Sequence, residues 1–175
     1  MGFLAHRLEK IRKESEFFVW FHLKEDGSPR EEGKKKIFTF KPTGEAFREL
    51  VTITFTVNGE DRIREIELVL ARSFVDDAVN GIFARDIVKS LLRAAIPREN
   101  QTEVAGLADE IEVLVSRGRP ASSALRKKPG SQTLGYQVYL GKEKRYEQVL
   151  SRCIVRLENL PDALKISLSS RESPG

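Results

Sequence analysis

Val51, Ile53, Phe55 and Val57 alternate strictly with Thr52, Thr54 and Thr56, and no other stretch constrains the fold of this chain as tightly. A period of two puts the apolar side chains on one face and the threonines on the other, as in a half-buried antiparallel strand. Asn58-Gly59 follows, and both residues tolerate the positive φ that a tight hairpin turn requires. The return strand carries Ile66, Leu68 and Leu70 on one parity and Ile63 on the other, so a bulge near Arg64 and Glu65 is expected. A sheet with one apolar face needs a cover, and the chain supplies one next. Val75, Val79, Ile82, Phe83, Ile87, Leu91 and Ala95 form a broad helical stripe ending at Pro97. Ser73 begins that predicted helix, with Asp76 as an approximate capping box and Asp77 beside it on the helix dipole.

Upstream, Leu4, Leu8 and Ile11 predict an amphipathic helix over residues 3–14. Phe17, Phe18, Val19, Trp20 and Phe21 follow in succession, and their aromatic and β-branched content predicts a strand over residues 16–24. Residues 25–36 read as an exposed hairpin connection, and Ile37, Phe38 and Phe40 as a second strand closed by Pro42 and Gly44. Residues 1–97 thus read as an α-ββββ-α unit: a four-stranded antiparallel meander with a covering helix. Residues 98–175 read as a mixed α/β half on the same core, either a separate lobe or part of one continuous α+β domain. In that half, Thr102 caps a helix using Val104, Leu107, Ala108 and Ile111, although Ile111, Val113 and Val115 could equally alternate as a strand. Residues 134–140 read as a strand. Tyr146, Val149, Leu150, Cys153, Ile154 and Leu157 fit a helix ended by Pro161, and Ala163, Ile166 and Leu168 a last strand.

Composition matters mainly through its distribution. The net charge is only +4, yet Arg117, Arg119, Arg126, Lys127 and Lys128 fall between Ser116 and Gln132 with no acid among them. The rest of the chain is therefore close to neutral, and the basicity is local. A single cysteine excludes an internal disulfide and a multi-cysteine zinc site, and His6 and His22 form no metal motif. No run of residues reaches the length of a membrane span, and the first residues lack the apolar core of a signal peptide. A cytoplasmic protein without cofactor or metal is expected.

No glycine-rich phosphate cradle and no nucleophile elbow occurs. Cys153 lies on an apolar stripe, where a thiol acts as a small hydrophobe. Asp76 and Asp77 are explained by capping. No catalytic residue is assigned. Two features remain. The predicted strand over 16–24 is apolar on both faces, with Phe18, Trp20 and His22 on the face that should be polar. Those residues are candidates for a ligand contact or an interface between copies of the chain, because Trp and Phe are favoured interface anchors; a core covered on both sides is the plainer reading.

The second feature is the basic segment over 116–132, rich in Gly, Pro and Ser and longer than ordinary connections. Its Arg117-Gly118-Arg119-Pro120 resembles the core of the AT-hook, whose Arg-Gly-Arg element lies in the minor groove of A·T-rich DNA. The resemblance covers those four residues; Ser116 stands where the motif has proline, and Arg126, Lys127 and Lys128 arrive late. It implies a minor-groove contact by Arg117, Gly118 and Arg119, and the charge of the segment makes Arg126, Lys127 and Lys128 candidate nucleic-acid contacts beside them. The plainer reading is a solvated linker. The expectation is a non-enzymatic binding or adaptor module with a protein partner or self-association. A nucleic-acid-binding protein is the alternative, and an enzyme with a site dispersed in sequence the third.

Overall fold

The computed structural model describes residues 2–100, 134–140 and 143–171. The alternating run forms β4 (Val51–Val57), whose odd-numbered residues are buried and whose threonines are half-buried. It pairs with β5 (Ile63–Ala71), and the register slips between Thr56 and Val57, leaving Arg64 as the extra residue. That bulge returns Ile63 to the core side. The connecting turn differs from the tight two-residue form. Asn58 does not adopt positive φ; its Oδ1 accepts the N–H groups of Glu60 and Arg62, both at 3.0 Å, and Asp61 takes the left-handed position at φ 60°. Asn58 thus acts through its side chain, a local backbone mimic of the kind asparagine favours.

The remaining strands of the first half are β1 (Leu23–Glu25), β2 (Arg30–Glu32) and β3 (Lys35–Pro42). The second half contributes β6 (Leu134–Leu140), β7 (Glu143–Val149), β8 (Cys153–Asn159) and β9 (Ala163–Ser170). One antiparallel sheet takes them all, in the order β1-β3-β4-β5-β9-β8-β7-β6, with β2 pairing β3 beside β1. The join is β5 to β9, in register from Glu65↔Ser169 to Ala71↔Ala163. Two consecutive meanders therefore share a single sheet, as an α+β protein.

The predicted helix over 146–157 is instead the β7–β8 hairpin. Its apolar residues fit a helical period because Leu150 stands at the turn while Cys153, Val155 and Leu157 alternate inward. The turn is held from outside. Buried Asn100, in the 3-10 turn Arg98–Asn100, donates from Nδ2 to Ser151 Oγ at 2.9 Å, and its Oδ1 accepts the Arg152 N–H at 3.2 Å. No local period reports such a brace. The predicted helix or strand over 102–115 lies outside the described residues.

Helices cover the apolar face. The predicted helix over 3–14 shortens to α1 (Leu8–Glu14), because residues before it form a strap: the Ala5 N–H donates to the Ile63 carbonyl at 2.8 Å and the Ile63 N–H returns to His6. Ala5 takes φ 68° to make that turn. Phe3 and Leu4 of the strap are buried beside Leu8 and Ile11. The helix expected from Ser73 breaks into α4 (Arg72–Val75) and α5 (Asn80–Ala95). Asp77, and not Ser73 with Asp76, caps the long one: its Oδ1 accepts the Val79 and Asn80 N–H groups, both at 2.9 Å. Those bonds favour the carboxylate and hold Asp77 below its ordinary pKa. Asp76 instead faces Arg72 at 3.6 Å within the preceding turn. On the opposite, open face of the sheet, Thr52, Thr54 and Thr56 neighbour charge pairs such as Lys165 with Glu67, 3.4 Å apart.

Candidate functional site

Residues 17–20, the centre of the predicted two-faced strand, form a single helical turn, α2 (Phe17–Trp20), and only Leu23–Glu25 beyond them is extended. The reversal has a physical cause. A helical period sends Phe17, Phe18 and Phe21 to one side and Val19 and Trp20 to the other, which an extended strand cannot do. The inward side completes an aromatic cluster. Phe18 lies 5.6 Å from Phe55 and 5.3 Å from Phe40, and Phe17 lies 5.9 Å from Phe3, in stacked and edge-on geometries. Ser15 Oγ accepts the Phe17 N–H at 3.3 Å and satisfies one donor at the start of the turn. Burial of three aromatic rings outweighs their strand propensity.

Phe18, Trp20 and His22 are consequently separated. Phe18 is core. His22 is exposed in the turn after α2, at φ 49°, and its carbonyl accepts the Thr43 N–H at 2.9 Å. It serves the chain reversal through its backbone. Trp20 stays outside, 64% exposed, next to Val19 at 68%. Arg117, Gly118, Arg119, Arg126, Lys127 and Lys128 lie outside the described residues.

The broad stripe of α5 divides in the same way. Ala84, Ile87, Val88, Leu91, Leu92 and Ala95 face the sheet, whereas Val79, Ile82 and Phe83 at its start are exposed. At about 100° per residue, Ile82 lies roughly 160° round the helix from Ala84. It cannot reach the core. Phe83 leans on half-buried Phe47 of α3 (Glu45–Arg48), with ring centroids 6.2 Å apart, and Phe47 meets buried Phe74 at 5.7 Å. Helices α2 and α5 touch. Among the residues whose side chains are described, the large exposed apolar ones are therefore Val19 and Trp20 on one helix and Val79, Ile82 and Phe83 on or beside its neighbour. Exposed Asp76, Asp77 and Asp86 accompany them along the chain, with half-buried Arg85 as the nearest cation in sequence. Sequence reasoning placed Val79, Ile82 and Phe83 in the core. The missed signal was the width of the stripe, which exceeds what one helix face can bury.

A charged cleft of about 360 Å³ opens between β1 and β3, lined by Lys24, Asp26, Lys41, Thr43 and Arg48 among others. Asp26 lies 3.7 Å from Lys41 and 3.3 Å from Arg48, and Lys41 also lies 3.7 Å from Glu49. Asp26 thus draws the two cations Lys41 and Arg48 together within the cleft. Cys153 is fully buried in β8 and presents no thiol to solvent. Among the described residues, no three His, Cys, Asp or Glu side chains converge as a metal set, and no helix is long and apolar enough to cross a membrane. Compared with protein-family models, curated proteins and solved structures, the chain matches none.

Proposed function

We propose that this protein is a non-enzymatic binding module that docks a protein partner on its helix layer, through Val19 and Trp20 of α2 and Val79, Ile82 and Phe83 at the start of α5. The supporting observation is that, among the residues whose side chains are described, the large apolar side chains left in water lie on or beside two touching helices. Exposed tryptophan and phenylalanine are favoured binding anchors.

Photocrosslinking amino acids at positions 20 and 83 test this in cell extract, with position 165 on the open sheet face as control. A discrete partner crosslinks from 20 and 83 and not from 165. Purified, it loses roughly 30-fold or more in affinity with Trp20→Ala or Phe83→Ala, the effect of one hot-spot residue. Equal crosslinking from all three positions, or unchanged affinity in both variants, refutes the proposal.

A second reading rests on the acid-free basic segment. Neutralising Arg117, Arg119, Arg126, Lys127 and Lys128 abolishes salt-dependent binding to DNA under that reading. Anisotropy titrations with A·T-rich duplex, G·C-rich duplex and single strands at two salt concentrations decide it, and no binding at low salt retires it.

A further inference from the structure

The two ends of the sheet are built differently. At one end β3 is flanked by β1 and β2, three residues each, with the sequences Leu-Lys-Glu and Arg-Glu-Glu. Short, charged strands are a standard protection against pairing with another chain. At the other end β6 runs seven residues, Leu-Gly-Tyr-Gln-Val-Tyr-Leu, with no charge and no proline. Among the described residues it pairs only with β7, in continuous register from Leu134↔Val149 to Leu140↔Glu143. Each strand residue directs its backbone polar groups to one side, so about half of those in β6 point away from β7. A row of this kind is a template for strand addition.

The sequence of β6 favours one occupant, a second copy of itself. Antiparallel pairing about a two-fold axis through Gln137 sets Leu134 opposite Leu140, Gly135 opposite Tyr139, Tyr136 opposite Val138, and Gln137 opposite Gln137. Those pairings are favourable in kind. An aromatic residue stands across from glycine, an aromatic residue across from a β-branched one, and leucine across from leucine. A closed two-fold arrangement also uses up the edge in both copies, whereas a shifted register leaves part of it open.

We propose that β6 is a homodimerisation edge, joining two copies into one continuous antiparallel sheet with its axis at Gln137. The contact stands on observations separate from the helix layer, and leaves that layer open in each copy. A seven-residue strand is about 24 Å long, so the contact is small and the dimer reversible, with a dissociation constant on the order of micromolar.

Position 137 faces itself across the axis, which gives a charge-swap test. Sedimentation velocity of the full chain is run from roughly 1 to 200 μM on wild type, Gln137→Lys, Gln137→Glu and an equimolar mixture of the two variants. The wild type dimerises; each variant alone is at least tenfold weaker, because like charges oppose each other; the mixture recovers as a heterodimer. A wild-type monomer at the highest concentration overturns the proposal. So do variants that dimerise like wild type, or a mixture that does not recover. If either variant fails to fold by far-UV circular dichroism, hydrogen exchange of wild type decides. Amides of residues 134–140 gain protection with concentration if the edge pairs, and show no change if it does not. Loss of the dimer in Trp20→Ala, with Gln137→Lys unaffected, assigns self-association to the helix layer and overturns the edge.

Discussion

Replacing Phe18 with alanine and, separately, Trp20 with alanine distinguishes the helical turn α2 from the two-faced strand that the amino-acid pattern suggests. In a strand the two residues share a face and lose comparable contacts. In the structure Phe18 is 7% exposed and Trp20 64%. The Phe18 ring has neighbours at 5.3 Å (Phe40), 5.6 Å (Phe55), 5.9 Å (Phe17) and 6.2 Å (Phe3). Truncating a buried phenylalanine costs about 3–5 kcal/mol in transfer and cavity terms, and the lost ring pairs place this one toward the upper end. Against a typical total of about 5–15 kcal/mol, that is a third or more of the stability. Trp20 loses little packing, and alanine is the better helix former by about 0.5 kcal/mol, so its change stays within roughly 1 kcal/mol of zero. For a chain of this length the Phe18→Ala melting temperature falls by roughly 6–20 °C, and that of Trp20→Ala by a few degrees at most. Thermal and urea unfolding by far-UV circular dichroism measure both. Trp20 is the sole tryptophan, and its exposure predicts emission at the solvent-exposed end of its range in the folded protein. Equal destabilisation by the two substitutions, or a buried Trp20 emission in the monomer, refutes the helical assignment.

Gly81 offers a test of sign. Alanine is worth about 1 kcal/mol over glycine inside a helix, but a Cβ at Gly81 would stand 2.8 Å from the Val75 carbonyl oxygen, a backbone atom that cannot swing aside. Overpacking at about 1–3 kcal/mol outweighs the propensity gain, so Gly81→Ala lowers the urea midpoint, by up to about 2 kcal/mol in stability; a raised midpoint contradicts the contact. The cap at Asp77 predicts a pH effect. Hydrogen bonds from the Asn80 and Val79 N–H groups depress its pKa on folding, so its contribution is complete above the unfolded value and is lost as pH falls below about 4. Asp77→Ala is therefore less stable than wild type at pH 7 by urea titration, and the gap narrows toward pH 3. A gap independent of pH assigns the effect to something other than the carboxylate.

Local features were readable wherever the deciding interactions were themselves local. β4 announces itself because its two faces meet different surroundings, and the parity change between Ile63 and Ile66 records the bulge at Arg64. Residues 17–21 mislead because their composition suits a strand while their order, two phenylalanines, then Val19 and Trp20, then a third phenylalanine, suits a helix lying on Phe40 and Phe55. Choosing between them requires the partner rings, which come from other parts of the chain. The β7–β8 turn depends in the same way on Asn100, fifty residues earlier, and the β5–β9 join on strands nearly a hundred residues apart. Neither leaves a trace in any local window.

The helix layer is a different case, because its signal was present and pointed inward. Seven apolar positions from Val75 to Ala95 predict one covering stripe, yet the inward face of α5 is filled by Ala84, Ile87, Val88, Leu91, Leu92 and Ala95. Lysine or glutamate at 82 and 83 would leave that core untouched and make the surface more soluble. The apolar choice at these positions, repeated at Val19 and Trp20 on the neighbouring helix, leaves half or more of each side chain in water. The Phe83 ring packs against Phe47, which restrains it at the surface and lowers the entropy lost when a partner covers it. A side chain held in place but left uncovered is suited to binding, and that is the physical ground for the proposal that a partner docks on α2 and α5.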